Sequence, residues 1–182
     1  MNLWLRLLYV YLTTLCRPRI AAPFGVSSVS LIVLPGDLDV NFHINNGRYL
    51  TLMDLGRLDL FLRGGLWQAI RRAGWKPMLS AAAIVFRREL RLWRRFRVES
   101  RVVYWEQTSF IMEHRLIASD PVKGDVVAAL SLNRGGLYDA RAKRFVPVSE
   151  LFARMGVNAA PPPLSADVRA FLDAQNAMRQ LG

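Results

Sequence analysis

From residue 78 to residue 139 the chain holds four strand-length runs separated by only short breaks, and a single long helical pattern precedes them. No other feature limits the fold as much. Strands joined by short turns pair antiparallel. A sheet built that way needs cover for one face, and an apolar helix needs cover for its stripe. The order therefore predicts an α+β fold in which one antiparallel sheet curls around one helix.

The runs read individually. MLSAAAIVF (78–86) is apolar throughout and reads as a strand buried on both faces. RRFRVESRVVYWEQ (94–107) alternates, with Arg95, Arg97, Glu99 and Arg101 on one side and Phe96, Val98, Ser100 and Val102 on the other. SFIMEHRLIAS (109–119) follows a tight turn at Gln107-Thr108, and DPVKGD (120–125) is a further turn. VVAALSLNRGGLYD (126–139) is the last long strand, where Gly135-Gly136 marks a bulge or a close approach. Upstream, SVSLIVLP (28–35) reads as a strand ending at Pro35. The helix runs from Gly47 to Arg63, with Leu50, Met53, Leu60 and Phe61 at helical spacing, and Gly64-Gly65 ends it. LWQAIRRAGW makes a shorter helix after it, and RFVPVSELFARMG closes the sheet region with another.

Two appendages flank this unit. Leu3 to Cys16 is almost wholly apolar, broken by Arg6 and two threonines. It is shorter than the roughly 20 residues a spanning helix needs. It reads as a helix over 1–20 lying either in a membrane interface, through Trp4, Tyr9 and Tyr11, or on the protein's own surface. Arg17 and Arg19 follow it and, with membrane contact, favour a cytoplasmic domain. AAPPP (159–163) is a linker, and a C-terminal helix over 164–181 starts at the cap Ser165. The main domain is placed at 27–155.

Composition removes some function classes. One cysteine, Cys16, excludes an internal disulfide, and the absence of a Cys/His cluster argues against a zinc site of that kind. The net charge of +11 attracts polyanions such as anionic lipid, nucleic acid or phosphate-bearing small molecules, unless it merely reflects an arginine-rich composition. No nucleic-acid motif supports the nucleic-acid option, which is set aside.

The chemistry concentrates in DLDVNFHINNGRYL, residues 37–50. Two Asp, three Asn and one of the two His of the chain crowd ahead of the long helix. On residue chemistry alone this is either a turn with a helix cap or a catalytic loop. Asp39, Asn41 and His43 stand together in this loop, and Asp37 reads as a turn residue. Backbone N–H groups around Asn46 and Gly47 stand at the positive end of the helix. Asn45-Asn46 sits where the helix cap is expected, with Tyr49 one turn in and Asp54 further along. His114, mid-strand, reads as structural. RRELRLWRRFRVESR (87–101) holds seven arginines, of which Arg95 and Arg97 suit either phosphate oxygens or a solvated strand face.

D-L-D-V-N-x-H-x-N-N-x-R-Y ahead of a helix, with this order of elements, resembles the hotdog-fold acyl thioesterases of the 4-hydroxybenzoyl-CoA thioesterase-like type. It is also similar to single-domain thioesterase superfamily members with a short apolar N-terminus. KRFVPVSELF resembles the stretch that closes such domains, with Ser149 where Pro is common. The resemblance covers roughly residues 27–155. It implies hydrolysis of an acyl thioester of coenzyme A or acyl carrier protein, without cofactor or metal. It also implies a homodimer, or a tetramer of such dimers, with two sheets forming one continuous face and active sites at the interface. It assigns Asp39 to catalysis as general base or nucleophile with His43 and Asn41, and Asn46 and Gly47 to the thioester oxygen. It assigns Asn45, Arg95 and Arg97 to substrate, with Tyr49 in the acyl pocket and Asp54 as a second carboxylate candidate. Phe42 departs from it, standing where relatives carry Gly or Gln. That departure keeps open a non-catalytic acyl-CoA or lipid-binding protein on the same fold, and Asp54 a dehydratase or hydratase.

Overall fold

The central helix starts at the cap position that the sequence indicates. In the computed structural model, which describes residues 2–180, the elements run α1 Asn2–Leu15, β1 Ser27–Ile32, α2 Asn46–Arg63, α3 Leu66–Ala73 and β2 Lys76–Phe86. They continue with β3 Arg95–Trp105, β4 Ser109–Asp120, β5 Gly124–Asp139, β6 Arg144–Phe145, α4 Val148–Met155 and α5 Ala166–Arg179. Met1 and Leu181, which belong to the expected terminal helices, lie outside the described residues. Asn45 caps α2 by accepting from the Gly47 N–H at 2.9 Å, a bond of the kind that removes one orphan donor of the first turn. Gly65 takes φ +81, a left-handed turn that lets α3 start at a new angle.

All strands pair antiparallel in the order β1-β3-β4-β5-β2, with β6 beside β5. α2 lies against one face of this sheet. Gly56 makes the close approach possible, because a Cβ there would collide with the Ser100 hydroxyl and the Val98 side chain. Leu52, Met53 and Leu55 of α2 share a core with Val29, Leu31, Val98 and Leu116. Leu60 and Phe61 join a second core with Trp105, Phe110, Leu151 and Phe152. On the opposite face, Val168, Phe171 and Leu172 of α5 cover Ile111, so the middle of β4 is buried on both sides.

One expectation needs correction. The run 78–86 does form β2, but it is an edge strand and most of it is exposed rather than buried on both faces. Its apolar sequence signals a face that needs cover, and strand order decides whether one chain supplies it. Asp37 does sit in a turn, the 3-10 segment Pro35–Asp37, yet its carboxylate is fully buried. Arg6 of α1 grips it with two nitrogens, at 3.0 and 2.7 Å, and Arg48 of α2 approaches at 3.2 Å. The Gly135-Gly136 reading holds as a close approach, because a Cβ on Gly136 would strike the Thr108 carbonyl oxygen. The bulge lies across from these glycines, on β2, where Ser80 is the extra residue between Leu79 and Ala81.

Candidate active site

The polar loop is a five-residue reversal held at both ends. The Asp39 N–H donates to the His43 carbonyl at 2.9 Å, and the Phe42 N–H donates to the Asp39 carbonyl at 3.1 Å. The Ile44 N–H donates to the Leu90 carbonyl at 3.0 Å, and the Asn45 N–H to the Asp37 carbonyl at 2.8 Å. The loop therefore leans on residues 90–91 on one side and on the buried Asp37 turn on the other. Phe42 carries φ +59 with its ring 76% exposed. A non-glycine residue pays about 1–2 kcal/mol for that left-handed backbone. This is the position where the resemblance has Gly or Gln, and its backbone explains why glycine suits it.

Inside the reversal the carboxylate is oriented by two partners. Asp39 Oδ1 accepts from the Asn41 backbone N–H at 2.8 Å, and Oδ2 lies 3.3 Å from His43 Nδ1. His43 Nδ1 also lies 3.3 Å from the Ile44 carbonyl oxygen. Both neighbours of Nδ1 are acceptors, which puts an imidazole proton on Nδ1. Asn41 meets the carboxylate with its backbone N–H rather than its side-chain amide. The start of α2 follows within a few residues. Its Gly47 N–H is occupied by the Asn45 cap; the Asn46 N–H makes no hydrogen bond among the described residues. Tyr49 is buried edge-on to Phe86, with ring centroids 4.9 Å apart. Burial, then the carboxylates of Asp39 and Glu89, push its hydroxyl above the usual tyrosine range, so it stays a neutral donor beside the loop.

The remaining candidates lie elsewhere. Asp54 pairs with Arg57 at 2.7 Å on the wall of an apolar cavity of about 370 Å³, with Leu58, Phe61, Met78, Phe110 and Leu137. Burial raises the Asp54 carboxyl against the opposing pull of Arg57. Arg95 and Arg97 line a different groove with Tyr9 and Trp93. Arg97 is engaged by Glu99 at 2.8 Å and Asp125 at 2.7 Å, which hold its guanidinium firmly charged. The structure thus brings Asp39, Asn41, His43, Asn45, Asn46, Gly47 and Tyr49 together and leaves Asp54, Arg95 and Arg97 outside that group. The main cavities of the described residues are lined by neither Asp39 nor His43.

Sequence reasoning missed the supports beneath the loop. Arg6 and Arg48 on Asp37 are one, and the Leu90 and Arg91 backbone is another, with an isolated bridge from His43 to Arg91. A lone arginine inside an apolar helix was the available signal for the first. Asp59 was missed too: it is buried with Arg17, Arg63 and the Ser27 hydroxyl around it.

Comparison with known proteins decides the family. The thioesterase-like superfamily model matches residues 33–172, well over half of the chain. The chain belongs to the thioesterase-like superfamily. It is similar to Protein THEM6 of Xenopus laevis, 41% identical over 107 residues that make up 59% of this chain and 50% of that one. Protein THEM6 of Danio rerio is 36% identical over 86 residues, 47% of this chain and 43% of that one. The chain therefore spans half or less of these relatives' length. Among solved structures, YbaW of Escherichia coli superposes with a TM-score of 0.64 at 21% identity, over 71% of this chain and 96% of that one. A 4-hydroxybenzoyl-CoA thioesterase variant complexed with 4-hydroxybenzoyl-CoA gives 0.63 at 14% identity, over 71% and 97%. These likenesses establish the hotdog fold expected from the order of elements.

Proposed function

We propose that this protein hydrolyses an acyl thioester of coenzyme A or of acyl carrier protein, as a homodimer with Asp39 at the reacting centre. The observation that carries this is the Asp39 carboxylate. It is held by the Asn41 N–H and His43 just ahead of the α2 N-terminus, in a chain of the thioesterase-like superfamily. The carboxylate takes a proton from water while the water oxygen attacks the thioester carbonyl, or it attacks directly and leaves an anhydride for water to open. Negative charge then builds on the carbonyl oxygen. The positive end of α2, through the Asn46 N–H, is placed to meet it, and expulsion of the thiolate completes the step. Gly47 serves as part of the cap instead of as a donor to substrate, and His43 keeps the carboxylate oriented. The apolar cavity beside Asp54 offers room for an acyl group. The homodimer is supported by the exposed apolar β2 edge and by Asp39 and His43 lining none of the main cavities of the described residues.

Thiol release from a panel of acyl-CoAs, from acetyl through palmitoyl and including benzoyl, tests this with wild type and Asp39→Asn side by side. Wild type is expected to turn over at least one of them, with a loss of about 10²-fold or more in the variant. Turnover that survives Asp39→Asn would remove the assignment. A second reading rests on Phe42, whose exposed ring projects from the loop at the glycine-like position. It is a non-catalytic acyl-CoA or lipid binder, for which acyl-CoA binds with no thiol released from any thioester, acyl carrier protein included.

A further inference from the structure

α1 is apolar on both faces. Leu3, Leu7 and Val10 pack on the core beneath it. Trp4, Leu5, Leu8, Tyr11, Leu12 and Leu15 point the other way, each half exposed or more. Their spacing makes a single stripe along a helix of 14 residues, about 21 Å long. A stripe of this size with two aromatic residues is the kind of surface that lies in a bilayer interface. No helix of the described residues is long and apolar enough to cross a membrane.

The charge beside the stripe names the occupant. Tyr9 borders it and opens a groove of about 950 Å³ shared with Trp93, Arg94 and Arg95. Trp93 is well exposed and sits at φ +62, the chain turning to present it. No acidic side chain lines this groove. Two of its arginines are already committed, Arg6 to Asp37 and Arg97 to Glu99 and Asp125. Arg94 donates to the Ser119 carbonyl, and Arg95 stands exposed. Arg19, also exposed, follows the helix, and α1 itself has no acidic residue. A second copy docked here through a two-fold axis would bring the same cations face to face. An anionic lipid surface satisfies both features at once, with acyl chains for the stripe and phosphates for the arginines.

We propose that α1 and the Trp93–Arg95 segment form one docking face for an anionic membrane surface. This goes beyond the thioesterase reading and does not depend on it. The full chain is sedimented with phosphatidylcholine vesicles, with and without phosphatidylglycerol. Binding is expected to the anionic vesicles, to weaken as salt is raised, and to be far lower on phosphatidylcholine alone. Leu5→Glu with Leu12→Glu, both at exposed positions, should lower the partition by at least about tenfold. Arg19→Glu with Arg95→Glu should abolish the preference for phosphatidylglycerol. Circular dichroism and the thermal midpoint verify that each variant is folded. The proposal is overturned by no binding to either vesicle, by binding indifferent to phosphatidylglycerol, or by the leucine variant binding like wild type. It is equally overturned if those leucine changes dissolve a dimer of the wild type, which would give the face to a second copy.

Discussion

His114 occupies the middle of β4 with no exposure, its Nδ1 2.8 Å from the Ser100 hydroxyl. Its Nε2 has no partner among the described residues. Burial, followed by the nearby Arg57 charge, pulls its pKa down to about 3. In the unfolded chain the ring titrates near 6.5. Between those values the unfolded state binds the proton and the folded state does not. Stability contributed by the neutral ring is therefore complete above about pH 6.5 and falls by about 1.4 kcal/mol per unit as pH drops towards 3. Urea unfolding of wild type and His114→Gln, followed from about pH 6.5 to pH 4.5, should show the steeper fall in wild type. Parallel slopes would mean that His114 is protonated in the fold. Residue chemistry of this sort was partly legible. A histidine in a strand reads as structural, and Asp39 with His43 in one tight loop reads as a site. The neighbours were not legible. Arg57 reaches His114 from a helix, and Asp37 looks like any turn aspartate until the fold buries it.

At the scale of elements, α1 is tied to the candidate site. Arg6 joins Asp37 with two nitrogens, and the Asp37 carbonyl in turn accepts from Asn45, the cap of α2. The same guanidinium donates to the Ile32 carbonyl at 2.6 Å, so helix, strand and loop meet at one charge. Both groups are buried, but Asp37 keeps Arg48 and the Leu34 N–H, so losing Arg6 costs about 1.5–3 kcal/mol, the worth of hydrogen bonds to a charged group. Arg6→Ala should therefore lower unfolding stability by that order and speed amide exchange at Asp39 and Ile44. Unchanged exchange in the loop would show that α1 holds the fold without holding the site. The apolar run of α1 was plain in the sequence, and so was its single cation. What the cation does was not, since its partner stands 31 residues away and only packing of α1 on α2 brings them together.

For the whole molecule, β2 is the edge that one chain leaves uncovered. Sheet order leaves it at an edge, where Met78, Leu79, Val85 and Phe86 are about half exposed. Nine nearly uninterrupted apolar residues look the same in sequence whether a strand is central in one chain or waits at its edge. That is why burial on both faces was expected and an edge was found. An uncharged apolar edge invites another strand, and pairing of β2 with β2 of a second copy would extend one sheet across two chains. It would also place a neighbour near Phe86, which packs on Tyr49 beside the Asp39 loop. The protein is then expected to run in light scattering at twice the 20.7 kDa of one chain. Leu79→Lys with Val85→Lys puts two charges on that edge and should return it to the single-chain mass. Thiol release should fall in step, and the circular dichroism of the sheet should persist, because β5 still pairs the inner side of β2. A variant that stays at the doubled mass with full activity would locate the interface on another surface and leave the β2 edge uncovered.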